Sequence, residues 1–145
     1  MLLSMAAAAQ DEPGLQIWIT PGMISDHGNE ERDYNEKNTG FGVEAFITPR
    51  HGLIAGRFEN SNYEQSRYLG YHWRPLQIPL GPLRLSGGVA LALIDGYSDV
   101  NDGGTFPSIL PSVSAEFWRL GAHLIYVPNP EHSGAVALLL RFRLW

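Results

Sequence analysis

Hydrophobic and polar residues alternate along this chain with a period of two. The clearest case is Ala135–Trp145, where Val136, Leu138, Leu140, Phe142 and Leu144 fall on one side and Ala137, Leu139, Arg141 and Arg143 on the other. A β-strand points successive side chains to opposite faces, so one face of this segment is wholly apolar and the other carries two arginines. The pattern recurs eight times. It predicts strands at Leu15–Met23, Phe41–Thr48, Leu53–Asn60, Ser66–Pro75, Leu83–Asp95, Ser108–Phe117, Leu120–Val127 and Ala135–Trp145. The connections alternate in length. Ile24–Gly40 and Gly96–Pro107 are long and polar, whereas Thr48–Gly52 and Trp118-Arg119 are tight and Gln77–Pro82 is a proline-fixed reversal. An even number of strands with long loops on one rim and short turns on the other predicts an all-β protein. The expected fold is an eight-stranded antiparallel up-and-down barrel, closed so that no strand edge is exposed.

Two orientations satisfy the alternation. A soluble barrel would place the apolar face inside; a transmembrane barrel places it against lipid and the polar face in the lumen. In the membrane orientation Ile17, Ile19, Val43, Ala45, Ile47, Ile54, Phe58, Leu69, Tyr71, Trp73, Val113, Phe117, Leu120, Leu124 and Tyr126 point outward. Glu44, Arg57, Glu59, His72, Arg74, Glu116, His123, Arg141 and Arg143 then point inward as a polar network. Charges in a narrow lumen have to pair, because an unpaired buried charge is costly. Three features favour the membrane orientation. The last strand, at about the 9–11 residues a tilted membrane strand needs, ends on an aromatic. Trp18, Trp73, Trp118, Trp145, Tyr71 and Tyr126 lie near strand ends, as an interfacial belt requires. Lysine is nearly absent, Lys37 being the one in the chain.

Composition narrows the function. The net charge is −5 with no basic cluster, which argues against a nucleic-acid partner. There is no cysteine, so neither disulfides nor thiol chemistry enter. No apolar run approaches the roughly 18 residues of a membrane helix. Residues 1–10 end in Ala7-Ala8-Ala9-Gln10, which suits the tail of a secretory signal or a disordered terminus, leaving residues 11–145 as one barrel domain. Asp95, Asp99, Asn101 and Asp102 match no calcium-loop spacing, and His72 and His123 read as core histidines beside Glu44 or Glu116. No metal or cofactor is expected.

Pro111 and Pro128 stand near the ends of neighbouring strands six and seven. Proline has no backbone donor and belongs where ladder bonds are absent. The two would leave that seam unzipped and form a side opening, or they are ordinary strand-end prolines.

From Asp33 onward an ordered series of short motifs resembles the lipid A palmitoyltransferase (PagP) family of bacterial outer membranes. The series runs Tyr34-Asn35-Glu36, Gly40-Phe41-Gly42, Phe58-x-Asn60-Ser61, Gly70-Tyr71-x-Trp73-Arg74-Pro75, Leu110-Pro111-Ser112-Val113-Ser114, Tyr126-Val127-Pro128 and Arg141-Phe142. The resemblance implies an outer-membrane location and an acyl transfer from phospholipid to lipid A, with the acyl chain held in an apolar interior pocket. It makes Pro111 and Pro128 a lipid gate. Family members carry an amphipathic helix before the barrel, for which the sequence ahead of the first strand leaves no room. They also carry a catalytic His on the first strand and an Asp-Ser pair after the third. Ser61 matches the serine, Asn60 replaces the aspartate, and no histidine stands at Thr20-Pro21, so His27 in the following loop is the nearest substitute, with Asp26 or Glu59 as its partner. Asn60 and Ser61 are also common turn residues. Two readings follow: a barrel acting on membrane lipids (phospholipid and lipid A), or a non-catalytic structural or lipid-binding barrel lacking the catalytic pair. In either, the C-terminal strand is expected to engage the barrel-assembly machinery.

Overall fold

A computed structural model describes residues 14–26, 33–98, 100–128 and 135–145. Eight antiparallel strands form one closed barrel in sequence order. They are β1 (Gln16–Asp26), β2 (Lys37–Thr48), β3 (His51–Glu59), β4 (Gln65–Leu80), β5 (Leu83–Ile94), β6 (Phe106–Phe117), β7 (Leu120–Val127) and β8 (Ala135–Arg143). A single 3₁₀ turn, Asn101–Gly103, lies in the β5–β6 loop. The expected fold class is therefore observed. The expectations for residues 1–10 and for the helix ahead of the barrel lie outside the described residues.

Strict alternation produces the wall. Along β8, Ala135, Ala137, Leu139 and Arg141 are buried, while Val136, Leu138, Leu140 and Phe142 are exposed. The outward faces of β4 to β8 are lined largely by exposed leucine, valine, isoleucine and aromatic side chains, the surface that a barrel in lipid presents. The two-residue turns Pro49-Arg50, Gly81-Pro82 and Trp118-Arg119 share one rim with the start of β1 and the end of β8; the long connections share the other.

Two prolines make local breaks. Pro21 and Gly22 bulge β1, so its pairing with β2 shifts between Thr20 and Gly22, and its pairing with β8 jumps from Ile19–Phe142 to Met23–Leu139. Gly22 sits at φ 141°, and a Cβ there would stand 2.9 Å from the Asn38 carbonyl oxygen, so glycine is required. Pro75 lies in a second register shift, between Trp73 and Leu76. β4 continues past it to Leu80, five residues beyond the expected end, because the bulge absorbs the proline without ending the strand.

One strand is threaded opposite to expectation. On β3, Ile54 and Phe58 face the lumen, and Arg57 faces out beside Leu53 and Ala55. Phe58 packs on Tyr68, their ring centroids 6.1 Å apart. Reading Arg57 as a lumen charge inverted the strand by one residue, and such a slip moves every side chain to the other face. Trp18 is also displaced from the expected interfacial belt: it is wholly buried in the lumen, beneath Arg141.

Candidate active site

The lumen has two storeys. Towards the short-turn rim it is charged. Arg141 donates from Nη1 to Glu44 at 2.8 Å and from Nη2 to Glu116 at 2.9 Å, and Arg74 binds the same Glu116 oxygen. Two carboxylates thus meet two guanidinium groups, which is the condition for keeping them ionised away from water. The aromatic rings of Phe46 and Trp18 cap the guanidinium planes, with Arg74 3.7 Å above Phe46 and Arg141 4.9 Å from Trp18. His72 spans the lumen, its Nδ1 3.1 Å from Glu44 and its Nε2 3.0 Å from the Ser112 hydroxyl, and its ring stacks on His123 at 4.9 Å. Glu44, His72 and Ser112 have the connectivity of an acid–imidazole–hydroxyl relay. All three are enclosed within the barrel, so the chain acts as a clasp joining β2, β4 and β6 across the lumen.

Towards the long-loop rim the lumen is apolar. Ala90, Ala92, Ile94 and Leu110 form a buried cluster joined by Ile54, Tyr68, Tyr97, Phe106, Ile125 and Val127. Ala135, Ala137 and Leu139 line the β8 side. Beside the β1 bulge, Thr20, Gly42, Phe58 and Tyr68 bound a small crevice of about 10 Å³, room for about one water, partly open to the outside. The sequence predicts an inward polar network; those of its charges that reach the lumen occupy one half of it.

The wall around this apolar half has an opening. β6 and β7 pair from Phe117–Leu120 up to Ser112–Ile125 and no further. Beyond that rung β6 continues through Phe106 paired with β5 alone. Pro111 stands immediately outside the last rung, and Pro128 ends the described part of β7's side. The unzipped stretch is backed by Leu110, Ile125 and Val127 of the apolar cluster.

Above this half lies the Asn60-Ser61 hairpin between β3 and β4. Asn60 is fully buried and every side-chain polar atom is engaged. Its amide donates to the Ser66 hydroxyl and to the Gly96 carbonyl, both at 2.9 Å, and its oxygen accepts from the backbone of Asn62 and Glu64. Gly96 sits at φ +86°, and a Cβ there would collide with the Gln65 carbonyl, so the β5 exit and the hairpin close on each other only through glycine. Asn35 ties the other flank: its amide donates to Glu59 at 2.8 Å and to the Asn60 carbonyl, and its backbone N–H donates to the Ser61 carbonyl at 2.9 Å. Asn38 continues the frame, receiving the Ser25 hydroxyl at 2.7 Å and donating to the Glu59 carbonyl. On the β4–β5 side Arg67 grips Asp95 through Nη2 at 2.7 Å and Nε at 3.0 Å. That hydrogen bond, with another from the Arg67 backbone N–H, holds the Asp95 carboxyl below its ordinary value.

Of the residues singled out from sequence, Glu44, His72, Arg74, Glu116, His123 and Arg141 come together in the lumen. Arg143 shares their side of β8 at the rim, 5.8 Å from the Trp18 ring. Arg57 does not join them, since it faces outward, and Glu59 sits at the rim holding Asn35. Ser61 is half-buried at the hairpin tip beside Asn60, and Pro111 and Pro128 flank the open seam. His27 lies outside the described residues, as does Asp99. Among the described residues no group of three or more His, Asp or Glu side chains is arranged to hold a metal ion. Sequence reasoning missed the framing roles of Ser25, Asn35, Asn38 and Ser66. The Tyr34-Asn35-Glu36 motif held one of them in view, but its partners lie 24 and 25 residues away, and only the barrel closure brings them together.

Comparison with known proteins agrees with this architecture. Residues 23–142 match the family described as antimicrobial peptide resistance and lipid A acylation protein PagP. Over 110 residues the chain is 31% identical to the lipid A acyltransferase PagP of Laribacter hongkongensis (strain HLHK9), an alignment covering 72% of this chain and 52% of that protein. The chain thus spans about half the length of the curated relative it matches. The family match runs through the lumen network, the open seam and the serine hairpin, and this outer-membrane β-barrel belongs to the PagP family.

Proposed function

We propose that the barrel transfers an acyl chain from an outer-leaflet phospholipid to lipid A. The observation that carries this reading is the β6–β7 seam, which is unpaired beyond Ser112–Ile125 and backed by the apolar half of the lumen. A hydrocarbon chain leaving the outer leaflet sideways would meet no backbone ladder there and would pack against the alanine, leucine and isoleucine side chains behind it. The charged storey below offers such a chain nothing, so it would stop at the level of His72 and Ser112. The chemistry exchanges one ester for another. The acyl carbon–oxygen bond of the phospholipid breaks, a lysophospholipid leaves with the proton, and the carbonyl carbon bonds to a lipid A hydroxyl.

In this reading Ser61 presents its hydroxyl to the acyl carbonyl from the hairpin tip. Asn60 does not substitute for the family aspartate as a charge, because both ends of its amide are committed to holding the hairpin. Proton movement then falls to His27, supported by Asp26 or Glu59. The lipid partners are phospholipid and lipid A, and β8 is the strand that the assembly machinery would engage.

The test is mass spectrometry of lipid A from a strain lacking its own palmitoyltransferase and exporting this protein, beside a Ser61→Ala control, with folded barrel verified in the outer-membrane fraction. One added acyl chain that is lost in the control supports the reading. Unchanged lipid A overturns it and leaves a lipid-binding or structural barrel.

A further inference from the structure

The outward faces of β5 to β8 carry no charged side chain between their rims among the described residues. β3 and β4 differ. Arg57 and Arg67 are directly opposite each other across the β3–β4 ladder, both exposed, and both on the face they share with Leu53, Ala55, Leu69 and Tyr71. Like charges directly opposite in a sheet are unfavourable, and an arginine on the lipid face costs more the deeper it lies. Arg67 is offset by Asp95. For Arg57, no ion pair is found among the described residues. Its depth explains how it is tolerated: it is two residues below the long-loop end of β3, at the level of the lipid headgroups.

From this pairing we infer that Arg57 and Arg67 form a docking site for a phosphate of lipid A on the outer wall of β3 and β4. The inference rests on the acceptor proposed above and deepens it. A guanidinium group binds phosphate oxygens through parallel N–H donors. Two of them side by side, one fixed in place by a carboxylate and the other with its donors available, suit a phosphate on a sugar at the membrane surface. The site also has the right address. Arg57 and Arg67 stand on the two legs of the hairpin whose tip is Asn60-Ser61, so a phosphorylated glucosamine held between them would lie on the sector of the wall that carries Ser61. The apolar seam is on the far side of the ring, between β6 and β7. Donor and acceptor lipids would therefore approach from different sectors of the wall.

The test is native mass spectrometry of the purified full-length barrel in micelles with bisphosphorylated lipid A and with the same lipid after phosphatase treatment. The variants are Arg57→Gln and Arg57→Lys, each checked for folding by heat-modifiable gel mobility. Loss of one charge-assisted contact predicts about tenfold weaker retention of lipid A by Arg57→Gln. Arg57→Lys, which keeps the charge but not the paired donors, should fall between wild type and Arg57→Gln, and wild type should hold the dephosphorylated lipid as weakly as Arg57→Gln does. Equal retention of lipid A by wild type and Arg57→Gln overturns the site, as does equal retention of the two lipids by wild type. A barrel that binds lipid A through Arg57 but never acylates it upholds this site and refutes the acyl transfer.

Discussion

Ser112 and Ile125 are the outermost paired residues of β6 and β7, and the ladder between those strands stops at them although β6 runs on for six more residues. Pro111 comes next on one strand and Pro128 ends the other, so neither position can contribute an N–H to extend the pairing. Replacing both by alanine restores two donors, each able to form a bond with a net value of about 0.5–1.5 kcal/mol. The double variant should slow hydrogen exchange over residues 109–110 and 126–127 and reduce acyl transfer at least tenfold, with the barrel otherwise intact. Unchanged exchange and unchanged transfer would show that the prolines are ordinary strand ends.

The Asn60–Gly96 contact yields a prediction against the simplest repair of the site. Asn60→Asp reinstates the family carboxylate, but it replaces an amide that donates to the Gly96 carbonyl and the Ser66 hydroxyl. The carbonyl would then face an acceptor. A loss of about 1–3 kcal/mol in urea unfolding is expected, without a gain in acyl transfer. A variant both more active and equally stable would mean that the position is catalytic rather than structural.

The strands were legible because period-two alternation survives in all eight. The membrane orientation followed from the aromatic end of the last strand, the tryptophans and tyrosines near strand ends and the near absence of lysine. Two things were hidden. The apolar upper lumen is lined largely by Ala90, Ala92, Ala135 and Ala137, and alanine marks neither face of a strand in sequence. The direction of β3 was misread because Arg57 breaks the rule that charges point inward, which Glu44, His72 and Arg141 all obey. Its position near the rim, where such a charge costs least, is a fact of three dimensions. The serine was found only through its motif, since what shapes its surroundings is contributed by Ser25, Asn35, Asn38 and Gly96 on other strands.

The lumen network should be sensitive to breaking and tolerant of neutral replacement. Arg141 serves both Glu44 and Glu116. Arg141→Met removes the charge, leaves Glu116 with Arg74 alone and strands the buried Glu44 carboxylate without an arginine, so a loss of about 3–5 kcal/mol is expected in denaturant unfolding. Combining it with Glu44→Gln removes that stranded charge and should recover part of the loss. If the double variant is no more stable than Arg141→Met, the carboxylate is not what the arginine offsets.

The pair at the top of β4 and β5 gives a pH dependence with a defined sign. Asp95 lies beyond the end of β5, and its carboxyl is held below the ordinary value of 3.8, first by the Arg67 side chain and then by the Arg67 backbone N–H. A group whose pKa is lower in the folded state stabilises that state above its unfolded pKa and ceases to do so as pH falls through the folded value. The Arg67–Asp95 clasp should therefore be pH-independent from neutrality down to about pH 5 and weaken below pH 4. Arg67 is exposed and Asp95 partly so, and the effect will be local rather than global, and salt will diminish it. Measured as exchange of the Arg67 amide, corrected for intrinsic rate, protection should fall below pH 4 in wild type. In Asp95→Asn it should show no such step. A step of equal size in that variant would assign the titration to another carboxylate of the rim.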